Sequence, residues 1–252
     1  MEFTTAGPHR SNSAHVIFYI DILGFTSALE DPNESGFDTI KGLLSDFASM
    51  RGEFSIKDET PTGFSVRPAI TTFSDLVVLS WPLAGIPKTN EALTEGVAFA
   101  VTVWRSSVFI SALASAAIKL GFLIRGGATV GQLHHEKDIV MGRALNEAYE
   151  LERRVANYPR IVVSSKLYSR VTVDPGLLKT DRDGIVHLNY LQAMILSGGG
   201  EGNEALWLAN VRRIVKENRD KFEGSGRLNQ LAKWAWFEAE LEDEVSRLPS
   251  AT

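Results

Sequence analysis

Two acidic residues stand in surroundings that are costly for a charge. "HVIFYIDIL", residues 15–23, is apolar and β-branched up to Asp21, and "TTFSDLVVLS", residues 71–80, sets Asp75 in a short polar break between apolar runs. A desolvated carboxylate must be paired, protonated or bound to a cation. If the two acids meet, a divalent cation relieves their mutual repulsion. Oxygen ligands, in a chain with no cysteine, favour Mg²⁺ or Mn²⁺ over zinc. Two such ions about 3.5–4 Å apart can activate a hydroxyl and hold a leaving phosphate. The same two positions also suit unrelated acids at strand ends.

Other chemically suggestive stretches carry less. His134 and His135, in "QLHHEKD", fall at a hairpin tip and suit a solvated arm. "SGGGEGNE" has no Lys-Ser/Thr after its glycines, which excludes a phosphate-binding P-loop. "RGGATVG" is glycine-rich, yet glycines inside a strand usually permit close packing or a bulge. Trp234, Trp236 and Phe237 form an aromatic stripe suited to the core or a dimer surface.

The elements that would position the acids follow from periodicity. Residues 15–23 read as a buried strand, 33–51 as an amphipathic helix, and 65–82 as a hairpin turning at Thr72–Asp75. Residues 96–124 read as a long buried helix running into a strand, because Arg105, Ser106, Ser107 and Lys119 interrupt any membrane-length apolar run. A second hairpin ends near residue 141, followed by a helix over 142–158 and strands over 160–165 and 184–191. Residues 197–205 read as a mobile loop, and helices cover 204–221 and 227–248. The expected architecture is α+β, a mostly antiparallel, ferredoxin-like sheet covered by helices. The expected divisions are a flexible tail (1–14), a catalytic domain (15–192) and a C-terminal helical extension (193–252) packed on the domain or dimer.

Composition narrows the partners. The chain has 252 residues, 44% hydrophobic and 23% charged, ordinary for a globular protein with a sizeable core. A net charge of −5 disfavours nucleic acid and anionic membranes as partners. The absence of cysteine and of a signal peptide fits a cytoplasmic location.

"FYIDILGFTS", then "TTFSDLVVLS", then "RGGATVGQL…DIVMGRALNEAYELE" occur in the order found in class III nucleotidyl cyclases, which this sequence resembles over about residues 14–192. That family reads Asp-Ile-x-Gly-Phe-Thr on its first strand, a second metal Asp in its central hairpin, and Gly-x-x-Val-Asn-x-Ala on a later helix. The last is matched here by Gly142, Leu145, Asn146 and Ala148. The resemblance implies a homodimer with sites at the interface and two Mn²⁺ or Mg²⁺ ions held by Asp21, Asp75 and the Ile22 carbonyl. It further implies triphosphate binding by the amides of Gly24, Phe25 and Thr26, and an Asn146 that reaches the ribose from the partner.

The sequence also departs from that family. Glu150 stands where the family carries a transition-state Arg; Arg153, on the same helical face as Asn146, is the candidate substitute or part of a solvated face. The family's triphosphate lysine has no match in "DGIVHLNYL". The positions that read the purine are Thr71 and Ile139, in place of Lys and Asp or of Glu and Cys. With "Asp-Ile-Leu-Gly-Phe" and the Arg125–Ala128 motif, this pattern resembles the bacterial pyrimidine cyclases of antiphage (Pycsar) systems. The activity so implied is conversion of UTP to 3′,5′-cyclic UMP and pyrophosphate as a defence messenger. CTP, ATP or GTP cyclisation, and a degenerate domain that binds a nucleotide or a partner without turnover, are the alternatives.

Overall fold

The central strand, β1 (Ser13–Leu23), alternates side chains between two apolar environments and is covered on both faces, which explains its nearly unbroken apolar run. It pairs antiparallel with β3 (Leu76–Pro82) on one side and β4 (Leu123–Glu136) on the other. The computed structural model describes residues 13–30, 35–53, 68–83, 91–137, 139–171, 176–198 and 203–248. Residues 1–12 of the expected tail and 199–202 of the expected loop lie outside them, and β1 begins two residues earlier than the sequence reading placed it.

The remaining strands are β2 (Ala69–Phe73), β5 (Ile139–Met141), β6 (Ile161–Val163), β7 (Leu178–Thr180) and β8 (Val186–Leu188). The sheet runs β2-β3-β1-β4-β6-β8-β7, with β5 paired to the far end of β4 as a two-stranded arm. The first four strands have the ferredoxin-like order, and β4 with β6 is the single parallel pair among the described strands.

One side of the sheet carries the main core: Phe18, Ile20, Leu79, Ile124 and Ala128 pack with residues of α1 (Phe25–Leu29), α2 (Ser35–Glu53), α3 (Glu91–Lys119) and α6 (Tyr190–Leu196). Phe99–Lys119 in α3 is long and apolar enough to cross a membrane, but 61% of that apolar window is buried; Phe99, Phe109, Ile110 and Leu113 belong to this core. The C-terminal helices α7 (Glu204–Phe222) and α8 (Leu228–Arg247) feed Trp207, Val211, Trp234, Phe237 and Leu241 into the same core. On the opposite face, α4 (Arg143–Arg154) lays Ala144 and Ala148 over Ile17, Val78 and Leu133.

Three local expectations differ. The α4 helix stops at Arg154, where Val155 and Ala156 both donate to the Leu151 carbonyl at 3.0 Å and close the last turn. The strand expected over 184–191 is only β8. Tyr190 starts α6 instead, buried, with its hydroxyl donating to the Pro159 carbonyl at 3.0 Å. β7 and α5 (Ser165–Tyr168, capped by Ser164 on Leu167 N–H) are too short to carry a periodic signal.

Candidate active site

Asp21 and Asp75 come to the same end of two neighbouring strands. Asp21 lies opposite Leu76 in the β1–β3 ladder, and Ile22 N–H donates to the Asp75 carbonyl at 2.9 Å. In an extended strand the N–H and C=O of one residue point the same way, so the Ile22 carbonyl also faces the Asp75 side. The turn that presents Asp75 is tight, with Ser74 at φ 54.

Strand pairing brings further charge. Asp21 is directly opposite Arg125 in the β1–β4 ladder, and Arg125 Nε donates to Asp21 Oδ2 at 3.0 Å. The same guanidinium lies 2.6 Å from Glu152 on α4, and its NH1 donates to the Ala156 carbonyl at 3.5 Å. Glu152 side-chain exposure is 6%, against 22% for Asp21 and 25% for Arg125, so this is a partly desolvated acid–base–acid array. Burial pushes the Asp21 carboxyl up from its ordinary range and Asp75 adds to this, while Arg125 opposes both. Glu152 is raised for the same first reason, again opposed by Arg125. Tyr19, partly buried beside these acids, is pushed up to about 12 and stays a neutral phenol.

Close helix packing makes the array possible. A Cβ on Gly127 would lie 2.2 Å from the Ala148 carbonyl oxygen and 2.7 Å from Leu151 Cβ, so α4 rests directly on the strand there. The glycine pair after Arg125 therefore serves packing. The buried face of α4 is Ala144, Ala148 and Glu152, at i, i+4, i+8; of the apolar set Leu145, Ala148, Leu151 and Val155 that the periodicity groups together, Ala148 is buried and the other three are only partly so. Asn146 and Arg153 are exposed on the outer side. Arg153 sits 3.9 Å from Glu150 and over the Tyr149 ring, and Arg154 also pairs with Glu150.

Gly24 ends the first strand at φ 98, a conformation L side chains rarely adopt, and leads into α1, where Phe25 is buried and Thr26 exposed. The first amides of a helix lack intrahelical acceptors, so this turn presents N–H groups at the Asp21 end.

The two positions expected to face the base, Thr71 and Ile139, both lie at the arm. Thr71 Oγ1 donates to the Lys137 carbonyl at 2.9 Å and contacts His135 Nε2 at 2.9 Å, while His135 Nδ1 contacts Ser80 Oγ at 2.8 Å. Ile139, two residues beyond Lys137, is exposed on β5. His135 is thus a structural bridge between arm and sheet, where the sequence suggested a solvated tip. Its alternation with the inward-facing Leu133 was the available signal.

Among the described residues no group of three or more His, Cys, Asp or Glu side chains forms a metal cage. Asp21, Asp75 and the Ile22 carbonyl still fit Mg²⁺ or Mn²⁺, which bind through one or two carboxylates together with substrate phosphates. The Arg125 cation already held by Asp21 shows that this carboxylate takes positive charge in place. Sequence reasoning missed Glu152, although it falls one turn after buried Ala148.

No family model matches the sequence, and no curated protein matches it. Among solved structures, the chain is similar to the guanylyl cyclase Cya2 (16% identity over 70% of this chain and 91% of that one, TM-score 0.41). It is also similar to a class III adenylyl cyclase-like ATP-binding protein from Pseudomonas aeruginosa (18%, 72% and 40%, TM-score 0.46). A third is the catalytic core of a rhodopsin-guanylyl cyclase with converted specificity, in complex with ATPalphaS (16%, 70% and 93%, TM-score 0.39). At these values the site rests on its own residues.

Proposed function

We propose that this chain is a metal-dependent nucleotidyl cyclase of the class III type, acting as a homodimer. The observation that carries the proposal is the meeting of Asp21 and Asp75 at one strand end, tied by the Ile22–Asp75 hydrogen bond, beside an amide-presenting turn at Gly24. The reaction is attack of a nucleoside triphosphate's 3′-hydroxyl on its α-phosphorus, with pyrophosphate leaving. Divalent ions at Asp21, Asp75 and the Ile22 carbonyl would lower the hydroxyl's pKa and balance charge on the leaving group.

The chain's own residues orient the substrate. Amides of Gly24, Phe25 and Thr26 suit the triphosphate, as open N–H groups favour anions. Arg125 holds the Asp21 carboxylate in line with the strand end. Asn146, exposed on α4, suits contact with a ribose bound across a dimer interface, and Arg153 on the same side suits the developing phosphate charge. On the strength of the pyrimidine-cyclase motifs and of Thr71 and Ile139, the proposal extends to UTP as substrate, cyclic UMP as product and an antiphage messenger role. Nucleotide binding without turnover is the second reading, favoured by Glu150, which draws both Arg153 and Arg154 to itself.

Incubation of the purified chain with equimolar ATP, GTP, CTP and UTP and Mn²⁺, read by mass spectrometry, tests both readings. A 3′,5′-cyclic nucleotide that disappears in Asp75→Ala supports the cyclase. Tight triphosphate binding with no product leaves the binding reading.

A further inference from the structure

We propose that Tyr19 selects the sugar of the bound nucleotide: its phenol hydroxyl donates to the 2′-hydroxyl, so the site takes ribonucleoside triphosphates in preference to their 2′-deoxy forms. The proposal rests on the cyclase reading for where the nucleotide lies, and it gives a role to a residue that neither the metal pair nor the base contacts use.

Strand register places Tyr19. Directly opposed residues of an antiparallel pair project to the same face of the sheet. Tyr19 stands opposite Val78, and Val78 opposite Thr71, so these three form one cross-strand row. Asp21, Leu76 and Phe73 form the next row on that face, two residues along. Between backbones, Tyr19 is therefore about 7 Å from Asp21 along β1 and about 10 Å, two strands, from Thr71. On its other side it faces Gly127, which has no side chain and on which α4 rests. The Tyr19 ring packs edge-on to Tyr149 of α4, with centroids 5.6 Å apart and planes at 67°.

The hydroxyl is unclaimed. Among the described residues Tyr19 makes an aromatic contact and no hydrogen bond, although a buried phenol usually finds a partner. Burial and the surrounding carboxylates keep it protonated at neutral pH, so it offers a donor. Leu76 and Val78 fill the middle of the two rows, which leaves Tyr19 as the polar group between Asp21 and Thr71 on these strands. In the cyclase reading, ions at Asp21 and Asp75 hold the 3′-hydroxyl and the base points toward Thr71. The 2′-carbon lies between the 3′-carbon and the carbon that bears the base, so its hydroxyl falls over the Tyr19 row. A 2′-deoxyribose has no oxygen there and leaves the phenol unpaired. Sites built to bond a substrate hydroxyl discriminate against the analogue that lacks it.

The test compares wild type with Tyr19→Phe, which keeps the ring and its Tyr149 contact, in the full chain. Calorimetry would follow binding of UTP and 2′-deoxy-UTP, with ATP and 2′-deoxy-ATP as a second pair, in Ca²⁺ to suppress turnover. Wild type should bind the ribonucleotide of each pair about tenfold tighter than its deoxy form. Tyr19→Phe should weaken the ribonucleotide by about that factor and leave the deoxynucleotide within about twofold, so the preference disappears. Equal affinity for both sugars in wild type, equal weakening of both in Tyr19→Phe, or a preference that survives the substitution overturns the assignment. If wild type forms no cyclic product but Tyr19→Phe still erases the preference, the cyclase reading fails and the Tyr19 assignment stands. If cyclic product forms and the preference survives in Tyr19→Phe, the cyclase reading stands and the Tyr19 assignment fails. Failure of wild type to bind any of the triphosphates overturns both.

Discussion

Arg125 and Asp21 face each other across the β1–β4 ladder, and the guanidinium that bonds Asp21 at 3.0 Å also reaches Glu152 at 2.6 Å. One side chain thereby couples the central strand to α4. Removing it strands Glu152, which is nearly inaccessible to water. Loss of one partner of a buried ion pair costs about 3–5 kcal/mol. Arg125→Met should therefore lower unfolding free energy by about that amount, and Arg125→Met/Glu152→Gln should recover much of it. Urea denaturation at constant m measures both; a loss under about 1 kcal/mol in the single variant would remove Arg125 from this role.

Asn146 is exposed on the outer side of α4, while Glu152 on the inner side faces the Asp21 array. A homodimer with shared sites requires the two halves to come from different protomers. Asp21→Ala and Asn146→Ala should each be inactive, and mixing them should restore part of the cyclic product by forming one intact site per heterodimer. Mass spectrometry of the mixture, after subunit exchange is shown with tagged protomers, is the check. Exchange without recovered product excludes the placement in trans.

Much of this was legible in residue order. Unbroken apolar runs at β1 and β3 specify strands covered on both faces, and the acids that end or interrupt those runs are conspicuous for that reason. What could not be read were relations set by tertiary packing. Arg125 meets Asp21 only through antiparallel register, and Trp236 meets Tyr158 only because α8 packs back on the domain. The boundary errors had local causes: the α4 ladder closes on the Leu151 carbonyl, and Tyr190 looks strand-like but is drawn into a helix by burial and its bond to the Pro159 carbonyl.

Gly127 gives a packing test with a built-in control. A methyl there collides with the backbone of Ala148 at 2.2 Å, whereas a methyl on Gly131 would sit 3.4 Å from Ala144 Cβ. Gly127→Ala should displace α4 and cost about 1–3 kcal/mol or more. Gly131→Ala should stay within about 1 kcal/mol of wild type. Thermal melts of the pair decide it, and equal effects would mean that α4 is not seated on Gly127.

His187 sets a pH dependence of stability. Its ring is buried, its Nε2 has no hydrogen-bond partner, and Glu240 is 4.0 Å away. Burial lowers its pKa from 6.5, opposed by Glu240 and Asp181. The folded state then binds fewer protons than the unfolded one below that value. Stability is fully present above pH 6.5 and falls as pH drops from there toward the folded-state pKa. Melting temperature should decline across this window in wild type and decline less in His187→Gln. Identical slopes would assign the dependence to other groups.

The base preference follows from the direction of the hydrogen bonds around Thr71. Its hydroxyl hydrogen is donated to the Lys137 carbonyl, so in the neutral His135 ring Nε2–H must donate to Thr71 Oγ1. Nδ1 then accepts from Ser80, whose hydroxyl is fully buried. With its hydrogen committed, Thr71 offers a ligand only a remaining acceptor lone pair. Ile139 offers no polar group, so a purine edge with several donors and acceptors would be left partly unsatisfied, at about 1–3 kcal/mol for each buried group. Uracil presents N3–H to an acceptor, whereas cytosine presents a lone pair at the same ring position. UTP should therefore be the preferred substrate in an equimolar competition of the four triphosphates, with cyclic UMP the main product. Thr71→Val should reduce preference for UTP over CTP by about tenfold, the loss of one matched hydrogen bond. Predominant cyclic AMP or cyclic GMP from wild type would refute the pyrimidine reading, and predominant cyclic CMP would refute the acceptor role of Thr71.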